Sequence, residues 1–321
     1  MKSLYRLLPL LAHEHYQSGQ KLAEYLGVTR PTISNWVAEL QKLGIDVYTV
    51  KGRGYRLAEP ISLLDRQSIL DKLPADLSQK MAVFDVQPDL DSTNRWVMEK
   101  RAEPGRWVVC TADYQHQGRG RRGRPWRSPP ASSVMVSVAV RESLPVKALY
   151  CASLIFGVAV ARAIRATTGI EMALKWPNDL YYQKQKLGGI LCELQGNPLD
   201  QPVLVIGIGL NVNKTPIGVD QPVTCLADLT GRLVDRSSLL TALLIEIHQV
   251  LQELQFEEGL VKLLAEWSEY DCIRERDILL LQGDRQTACK ACGIDDSGQL
   301  RVLDTNGAEY SVNGGEVSVR W

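Results

Sequence analysis

The 321-residue sequence lacks the marks of several protein classes. Only one Cys-x-x-Cys occurs, at Cys289 and Cys292. A zinc site needs a second pair of ligands, and neither a second Cys-x-x-Cys nor a His-x-x-x-His is present. The pair therefore reads as two residues of a strand. The seven cysteines are odd in number and scattered, so they form no disulfide framework. Charge of either sign is not in excess: Lys and Arg total 37, and Asp and Glu total 37. Binding to nucleic acid would have to come from a local patch. No apolar run spans a membrane. The longest, between Lys147 and Arg162, is shorter than the roughly 18 residues required and contains Ser153 and Gly157. The Leu-rich segment 4–11 is followed by His13-Glu14-His15 and not by a small-residue cleavage site, so it reads as a helix of a cytoplasmic protein. Internal repeats and low-complexity tracts are absent. What is present is ordinary for a globular chain, with 45% apolar and 23% charged residues. The length predicts two or three domains with a core that needs no staples.

Three units follow from the pattern. In residues 1–60, Leu4, Leu7, Leu8 and Leu11 keep helical spacing, and Pro9 should kink or shorten that helix. Ser18 is a candidate N-cap for a helix over residues 20–26. Gly27-Val28 makes a turn, Thr29 caps a helix over 30–43, and Gly44 ends it. Short strands at 46–50 and 55–57 flank Lys51-Gly-Arg-Gly54, which completes a winged helix-turn-helix. Residues 61–270 open with an amphipathic helix near 64–73, then mix strands (83–86, 107–113, 134–139, 172–175, 188–194, 204–211) with helices (92–101, 147–167, 237–253, 256–270). That is an α/β domain with a mixed sheet. Residues 271–321 read as five short strands (277–281, 285–293, 300–303, 308–311, 317–319). Turns at Gly283-Asp284, Asp296-Ser-Gly298 and Asn306-Gly307 join them, which suggests an SH3-like β-barrel. The class is α+β overall.

The densest signal is Gln117-Gly-Arg-Gly-Arg-Arg-Gly-Arg124. By letter, Gly118, Gly120 and Gly123 match a dinucleotide fingerprint. That motif opens a helix, whereas Pro125, Pro129 and Pro130 follow here, so the Rossmann reading is excluded. Glycines instead let a backbone approach a ligand, and Arg119, Arg121, Arg122 and Arg124 gather guanidinium groups suited to phosphate. A nucleoside triphosphate, a nucleic-acid backbone and a merely solvated basic loop all remain open on spacing alone. Lys175-Trp-Pro-Asn-Asp179 offers a carboxylate that could hold Mg²⁺ or orient an amine, or else an Asx-turn. Lys186, before Gly188-Gly189, is placed to bind an oxyanion. Gly207 and Gly209 end an apolar strand, either to admit a ligand or to make a bend. Ser92 and Thr93 open a helix as caps, with hydroxyls and N–H groups also on offer to a polar ligand.

The N-terminal unit has its own chemistry. Ala23, Gly27, Ile33 and Val37 occupy the packing and turn positions of a helix-turn-helix. Thr29, Arg30, Thr32, Ser34 and Asn35 would face the major groove. Lys51, Arg53 and Arg56 put positive charge on the hairpin beside it, for phosphate. A protein-interaction module is the alternative.

The Arg-rich motif, Lys-Trp-Pro-Asn-Asp, Lys-Leu-Gly-Gly-Ile-Leu and Gly-Ile-Gly-Leu-Asn, in this order, resemble the biotin–protein ligases. With the winged helix in front, nearly the whole chain is similar to the bifunctional biotin ligases that also repress the biotin operon. The resemblance implies a class II synthetase-like catalytic domain. It implies that biotin and ATP, with Mg²⁺, give biotinyl-5′-AMP, and that the adenylate then biotinylates one lysine of a biotin carboxyl carrier protein. The adenylate would also be corepressor for a homodimer on a palindromic operator, with no membrane involved.

Residue by residue, the resemblance implies that Ser92, Thr93, Asn94 and Gln115 line the ureido end of biotin. Gly118, Arg119, Gly120 and Arg121 close over its carboxyl and the phosphates, with Arg121 retaining the adenylate. Lys186 binds the carboxyl oxygen and α-phosphate, and Leu191, Gly207 and Gly209 touch biotin. Trp126 stacks on adenine, Arg124, Asn211 and Arg320 face the nucleotide, and Asp179 orients the incoming lysine or a metal. The leading alternative is an adenylate-sensing repressor without efficient turnover, which intact Lys186 and Arg121 argue against. A lipoate- or octanoate-handling relative and a ligase with a vestigial winged helix are further alternatives.

Overall fold

The structure, a computed structural model, describes residues 4–282, 285–314 and 318–320. The expected turn at Gly283-Asp284 and the strand residue Val317 lie outside the described residues. A 3-10 turn, Leu4–Leu7, leads into α1 (Leu8–Leu11). Pro9 falls in the first turn of α1, where its missing N–H costs nothing, so it divides the Leu-rich segment instead of kinking one long helix. α2 (Gly19–Leu26) ends on Gly27 at φ 62°, and α3 (Arg30–Lys42) begins after Thr29. Ser18 stands before α2 without a side-chain capping bond, whereas Thr29 Oγ1 accepts from the Thr32 N–H at 3.3 Å. Ala23, Ile33, Val37 and Leu40 pack with Leu7 and Leu11 into one small core. β1 (Val47–Val50) and β2 (Gly54–Leu57) form the antiparallel wing.

The central part begins with α4 (Arg66–Asp71), shorter than expected, and an unexpected α5 (Ala75–Lys80). Then come β3 (Met81–Gln87), α6 (Thr93–Met98), β4 (Trp107–Ala112) and β5 (Ser133–Val140). The single helix expected over 147–167 is two, α7 (Val146–Tyr150) and α8 (Ala152–Thr168). A tight Leu154 N–H to Cys151 carbonyl bond of 2.8 Å breaks the ladder there. β6 (Ala173–Lys175), β7 (Asp179–Tyr182), β8 (Gln185–Gln195) and β9 (Val203–Asn211) follow. The chain continues through α9 (Leu226–Thr230), α10 (Arg236–Glu253) and α11 (Gly259–Tyr270). Residues 256–258 form a turn outside α11, closed by the Gly259 N–H on the Phe256 carbonyl at 3.0 Å.

The sheet is mixed, in the order β3-β4-β5-β9-β8-β7-β6, with β3 parallel to β4 and the other pairs antiparallel. Every residue of β5 is buried. The main core joins alternate residues of these strands to α8, α10 and α11. On the opposite face Val97 of α6 packs on Val108, Cys110, Ala139 and Val205. Arg236, fully buried, donates to the Ser62 and Ser133 carbonyls and pairs with Asp113 at 2.7 Å, which ties the linker after the wing to the sheet. The C-terminal strands β10 (Asp277–Gln282), β11 (Arg285–Ile294), β12 (Leu300–Asp304), β13 (Glu309–Val312) and β14 (Ser318–Arg320) form an antiparallel sheet in the order β13-β12-β11-β10-β14. Among the described residues β13 and β14 are its two edges and do not pair, so no closed barrel is formed. Cys289 and Cys292 both lie on β11.

Candidate functional site

β9 runs in unbroken register with β5 as far as Asn211 and with β8 as far as Leu210, so its glycines make no bend. They make room. A Cβ at Gly207 would lie 2.1 Å from Asn94 Oδ1, and one at Gly209 would lie 2.6 Å from Trp126 Cε2. The start of α6 stands over this floor, with Ser92, Thr93 and Asn94 all buried. Ser92 occupies the N-cap position, yet its side chain makes no capping bond, so a capping role does not account for its hydroxyl. Gln115 Oε1 accepts from the Thr93 N–H at 2.7 Å and from Thr93 Oγ1 at 3.1 Å. Asn94 Nδ2 donates to Glu193 Oε2 at 2.7 Å and to the Leu191 carbonyl at 3.3 Å. Asn94 Oδ1 accepts from Ser137 Oγ at 2.5 Å. Ser137 and Glu193 were not among the residues expected here. Ser137 had a signal, a lone hydroxyl inside the apolar run of β5. Glu193 had another, an acid two residues after Leu191 and so on the same strand face.

The Arg-rich segment opens no α-helix. It folds on itself through a Trp126 N–H to Gly118 carbonyl bond of 2.8 Å and a Gly120 N–H to Arg124 carbonyl bond of 2.7 Å. Between them lies a single 3-10 turn, Arg121–Gly123, with Arg122 at φ 56°. Arg121 donates to Asn178 Oδ1 at 3.2 Å and to the Gly314 carbonyl of the C-terminal part. Burial pushes its guanidinium pKa down, and Arg122 adds to this. Arg119 Nη2 lies 3.4 Å from both oxygens of Glu193.

Asn178 and Asp179 follow a cis Trp176-Pro177 bond. Asn178 donates to the Ile190 carbonyl at 2.7 Å, and Asp179 Oδ1 lies 2.5 Å from Lys186 Nζ. Asp179 is therefore half of an ion pair and not the start of an Asx-turn. Lys186 is held from the other side: its N–H donates to the Pro222 carbonyl at 2.9 Å and its carbonyl accepts from Thr224 at 3.0 Å. A Cβ at Gly188 would lie 2.5 Å from the Gly209 carbonyl, so Gly188 lets two strands meet beside the lysine.

One cavity gathers nearly all of these groups. Ser92, Thr93, Asn94 and Gln115 line one part, with Leu191, Gly207 and Gly209. Arg119, Gly120, Arg121, Arg124, Trp126, Asp179, Lys186 and Asn211 line the rest. Two expected residues do not line it. Gly118 is buried behind the loop, and Arg320 is exposed on β14, although its neighbour Val319 reaches the cavity. Two buried polar atoms of residues that line it, Trp126 Nε1 and Asn211 Oδ1, have no hydrogen-bond partner among the described residues. Unpaired buried groups are costly, and a polar ligand would satisfy them.

Comparison with known proteins agrees with this build. Residues 86–213 match the Biotin/lipoate A/B protein ligase family, and residues 4–56 match an HTH domain. The chain is 36% identical to the bifunctional ligase/repressor BirA of Escherichia coli, over 98% of this chain and 96% of that one. It is 33% identical to the biotin–[acetyl-CoA-carboxylase] ligase of Mycobacterium tuberculosis, over 79% of this chain and 95% of that one. This chain belongs to the biotin protein ligase family. Its structure is similar to that of the biotin protein ligase from Aquifex aeolicus in complex with biotin and ATP. The TM-score is 0.62 at 27% identity, covering 75% of this chain and 99% of that one.

The helix-turn-helix match, over residues 4–56, lies in front of the ligase-family match over residues 86–213. Thr29, Arg30, Ser34 and Asn35 are exposed at the start of α3, and Thr32 is half-buried. The Thr29 and Thr32 hydroxyls are 2.8 Å apart, so part of their capacity is spent on the cap. Lys51 and Arg53 are exposed on the wing, and Arg53 and Arg56 lie over the Tyr16 ring at 4.7 and 5.2 Å. No helix among the described residues is long and apolar enough to cross a membrane.

Proposed function

We infer that this protein is an ATP-dependent biotin–protein ligase that also represses transcription through its helix-turn-helix. The observation that carries the reading is the cavity itself. It sets a cluster of amides and hydroxyls at one end, and at the other Lys186 and Arg121, which meet the adjacent Asp179 and Asn178. A ligand that is a neutral cyclic urea at one end and an anion at the other matches that division.

The chemistry needs no protein nucleophile. The biotin carboxylate attacks the α-phosphorus of ATP, the bond to the bridging oxygen breaks, and pyrophosphate leaves, giving biotinyl-5′-AMP. Two anions must approach and charge builds on phosphorus, so fixed cations are the main requirement. Lys186 is assigned to the carboxyl oxygen and α-phosphate, and Arg119, Arg121 and Arg124 to the phosphates. Gly118 and Gly120 let that loop close. Ser92, Thr93, Asn94 and Gln115 hold the ureido ring, over Leu191, Gly207 and Gly209. Trp126 stacks on adenine, with Asn211 and Arg320 towards the nucleotide.

In the second step a lysine amine of the carrier attacks the acyl carbonyl and AMP leaves. An amine of ordinary pKa near 10.4 must first lose a proton. Asp179, the one carboxylate lining the cavity among the described residues, is assigned to orient or deprotonate it. No cluster of three or more His, Cys, Asp or Glu gathers among the described residues. Mg²⁺ would be held chiefly by the ATP phosphates, where it would supply charge neutralisation, with Asp179 as the protein ligand within reach.

The acceptor is read as a biotin carboxyl carrier protein, in keeping with the carboxylase in the name of the Mycobacterium relative. We assign residues 1–60 to DNA binding, 61–270 to a class II synthetase-like ligase domain, and 271–321 to an SH3-like unit. Thr29, Arg30, Thr32, Ser34 and Asn35 would read a palindromic operator, with Lys51 and Arg53 on phosphates. The adenylate would be the corepressor, favouring a homodimer through an edge of the central sheet, and the cytoplasm is the compartment. Avidin-detectable transfer of biotin to a carrier domain, with ATP and Mg²⁺, tests the reading. Wild type should label the carrier and Lys186→Ala should not. Absence of transfer by wild type that still binds biotin would overturn the ligase reading.

A further inference from the structure

Glu193 has no place in the roles assigned above, yet it contacts two of the residues that have one. Its Oε2 accepts from Asn94 Nδ2 at 2.7 Å, and Arg119 Nη2 lies 3.4 Å from both of its oxygens. A side-chain amide has two faces of opposite polarity and can turn over. A carboxylate only accepts, so Glu193 dictates which end of Asn94 is nitrogen. The Leu191 carbonyl takes the second N–H at 3.3 Å. Both donors are then spent. On the oxygen side, Ser137 Oγ at 2.5 Å fills one lone pair of Oδ1. One lone pair is left, over Gly207, which lines the cavity. Asn94 in this setting offers a ligand an acceptor and no donor. Gln115 is set the other way: its Oε1 accepts from the Thr93 N–H at 2.7 Å, while Nε2 has, among the described residues, only Met135 Sδ, at 3.4 Å.

We propose that Glu193 is a specificity-determining positioning residue, which locks the Asn94 amide so that the site selects a ring N–H donor over an acyl chain with none. The proposal rests on the biotin reading of the cavity. It explains why an acid sits beside a site for an anionic substrate: it lies at the ureido end, and Arg119 balances its charge.

The test is direct biotin binding by titration calorimetry on the full chain, independent of turnover, with the thermal midpoint as a check on folding. Glu193→Ala should weaken biotin about ten- to hundredfold, the worth of one hydrogen bond to a charged group. Its KM for biotin should rise by the same factor. Asn94→Asp alone sets two carboxylates at hydrogen-bonding distance and should abolish binding. Asn94→Asp with Glu193→Gln restores one donor and one acceptor with their owners exchanged, and should recover at least about tenfold of the loss. A merely structural acid gives no such reciprocal rescue. Biotin affinity within twofold of wild type in Glu193→Ala, or a double variant no better than Asn94→Asp, would overturn the proposal. Failure of wild type to bind biotin at all would instead refute the underlying reading of the cavity.

Discussion

Replacing Gly207 by alanine isolates the geometry of the site from its charges. The residue sits in a regular strand, paired with Ser137 on one side and Leu191 on the other, so alanine brings no backbone strain. The cost lies in the new Cβ, 2.1 Å from Asn94 Oδ1, 2.8 Å from Cγ and 2.9 Å from Nδ2. Carbon does not approach oxygen closer than about 3 Å, so the amide must retreat by roughly 1 Å. That movement breaks or bends its bonds to Ser137 and Glu193, of 2.5 and 2.7 Å. A neutral hydrogen bond contributes about 1 kcal/mol and one to a charge about 2 kcal/mol. The folded protein therefore loses about 3 kcal/mol, and biotin, whose acceptor is displaced, loses about tenfold or more in affinity. Calorimetric titration with biotin measures it. Lys186 and the Arg-rich loop are untouched, so binding of ATP alone should change little. Biotin affinity within threefold of wild type would mean that Asn94 does not meet the ligand, and would refute the placement of the ureido end.

Arg121→Gly removes the donor to Asn178 and the Gly314 carbonyl. It should still form the adenylate but release it, so labelling of unrelated proteins should rise by about tenfold or more, and unchanged selectivity would count against the retaining role. Asp271 is held up to about 6, chiefly by burial, and its Oδ2 has no partner among the described residues. Folding favours its protonated form, so that stabilisation is present below about pH 4 and lost as pH rises through about 6. Asp271→Asn should therefore be more stable than wild type by about 3 kcal/mol at pH 7.5 and equal near pH 4, whereas a gap of the same size at both would refute the assignment. Residues 118–128 carry Arg122 in the left-handed region and mostly exposed arginines, so limited proteolysis there should slow when biotin and ATP are added together. Equal cleavage with and without them would show that the loop is already ordered.

The helix-turn-helix and the strands were legible because each obeys a local rule. Thr29 caps, Gly27 turns left-handed, and β5 is an apolar run broken only by Ser137 after Val134. The short elements were not: α5, β7 and α9 have six, four and five residues, too few for either periodicity to declare itself. The cationic half of the site was legible because four arginines in one loop have no other economical use. The partners of those cations were not. Asp179 meets Lys186 seven residues away, but Arg119 meets Glu193 across 74 residues and Arg121 meets Gly314 across 193. Pairings over such distances are products of the sheet order, which a linear pattern does not carry. The same holds for Ser137, which reaches Asn94 only because β5 and β9 lie side by side under α6.

Those pairings change what ligand binding means here. Lys186 is spent on Asp179, Arg119 on Glu193, and Arg121 on Asn178 and a backbone carbonyl. Left bare, three cations around one cleft would repel each other and destabilise the folded chain. Paired, they are kept in place at little cost. Binding is then an exchange of acceptors and not a simple addition of attractions. An anion that offers charge alone gains only the difference between one acceptor and another, which is small. A molecule that also fills the Asn94 and Gln115 end, and meets the unpaired Trp126 Nε1 and Asn211 Oδ1, gains at both ends of the cavity. On the proposed assignment biotin would reach one end and ATP the other, whereas biotinyl-5′-AMP would reach both without the translational cost of a second molecule. The parked cations would then concentrate affinity in the intermediate, the one species that must be held until the acceptor lysine arrives.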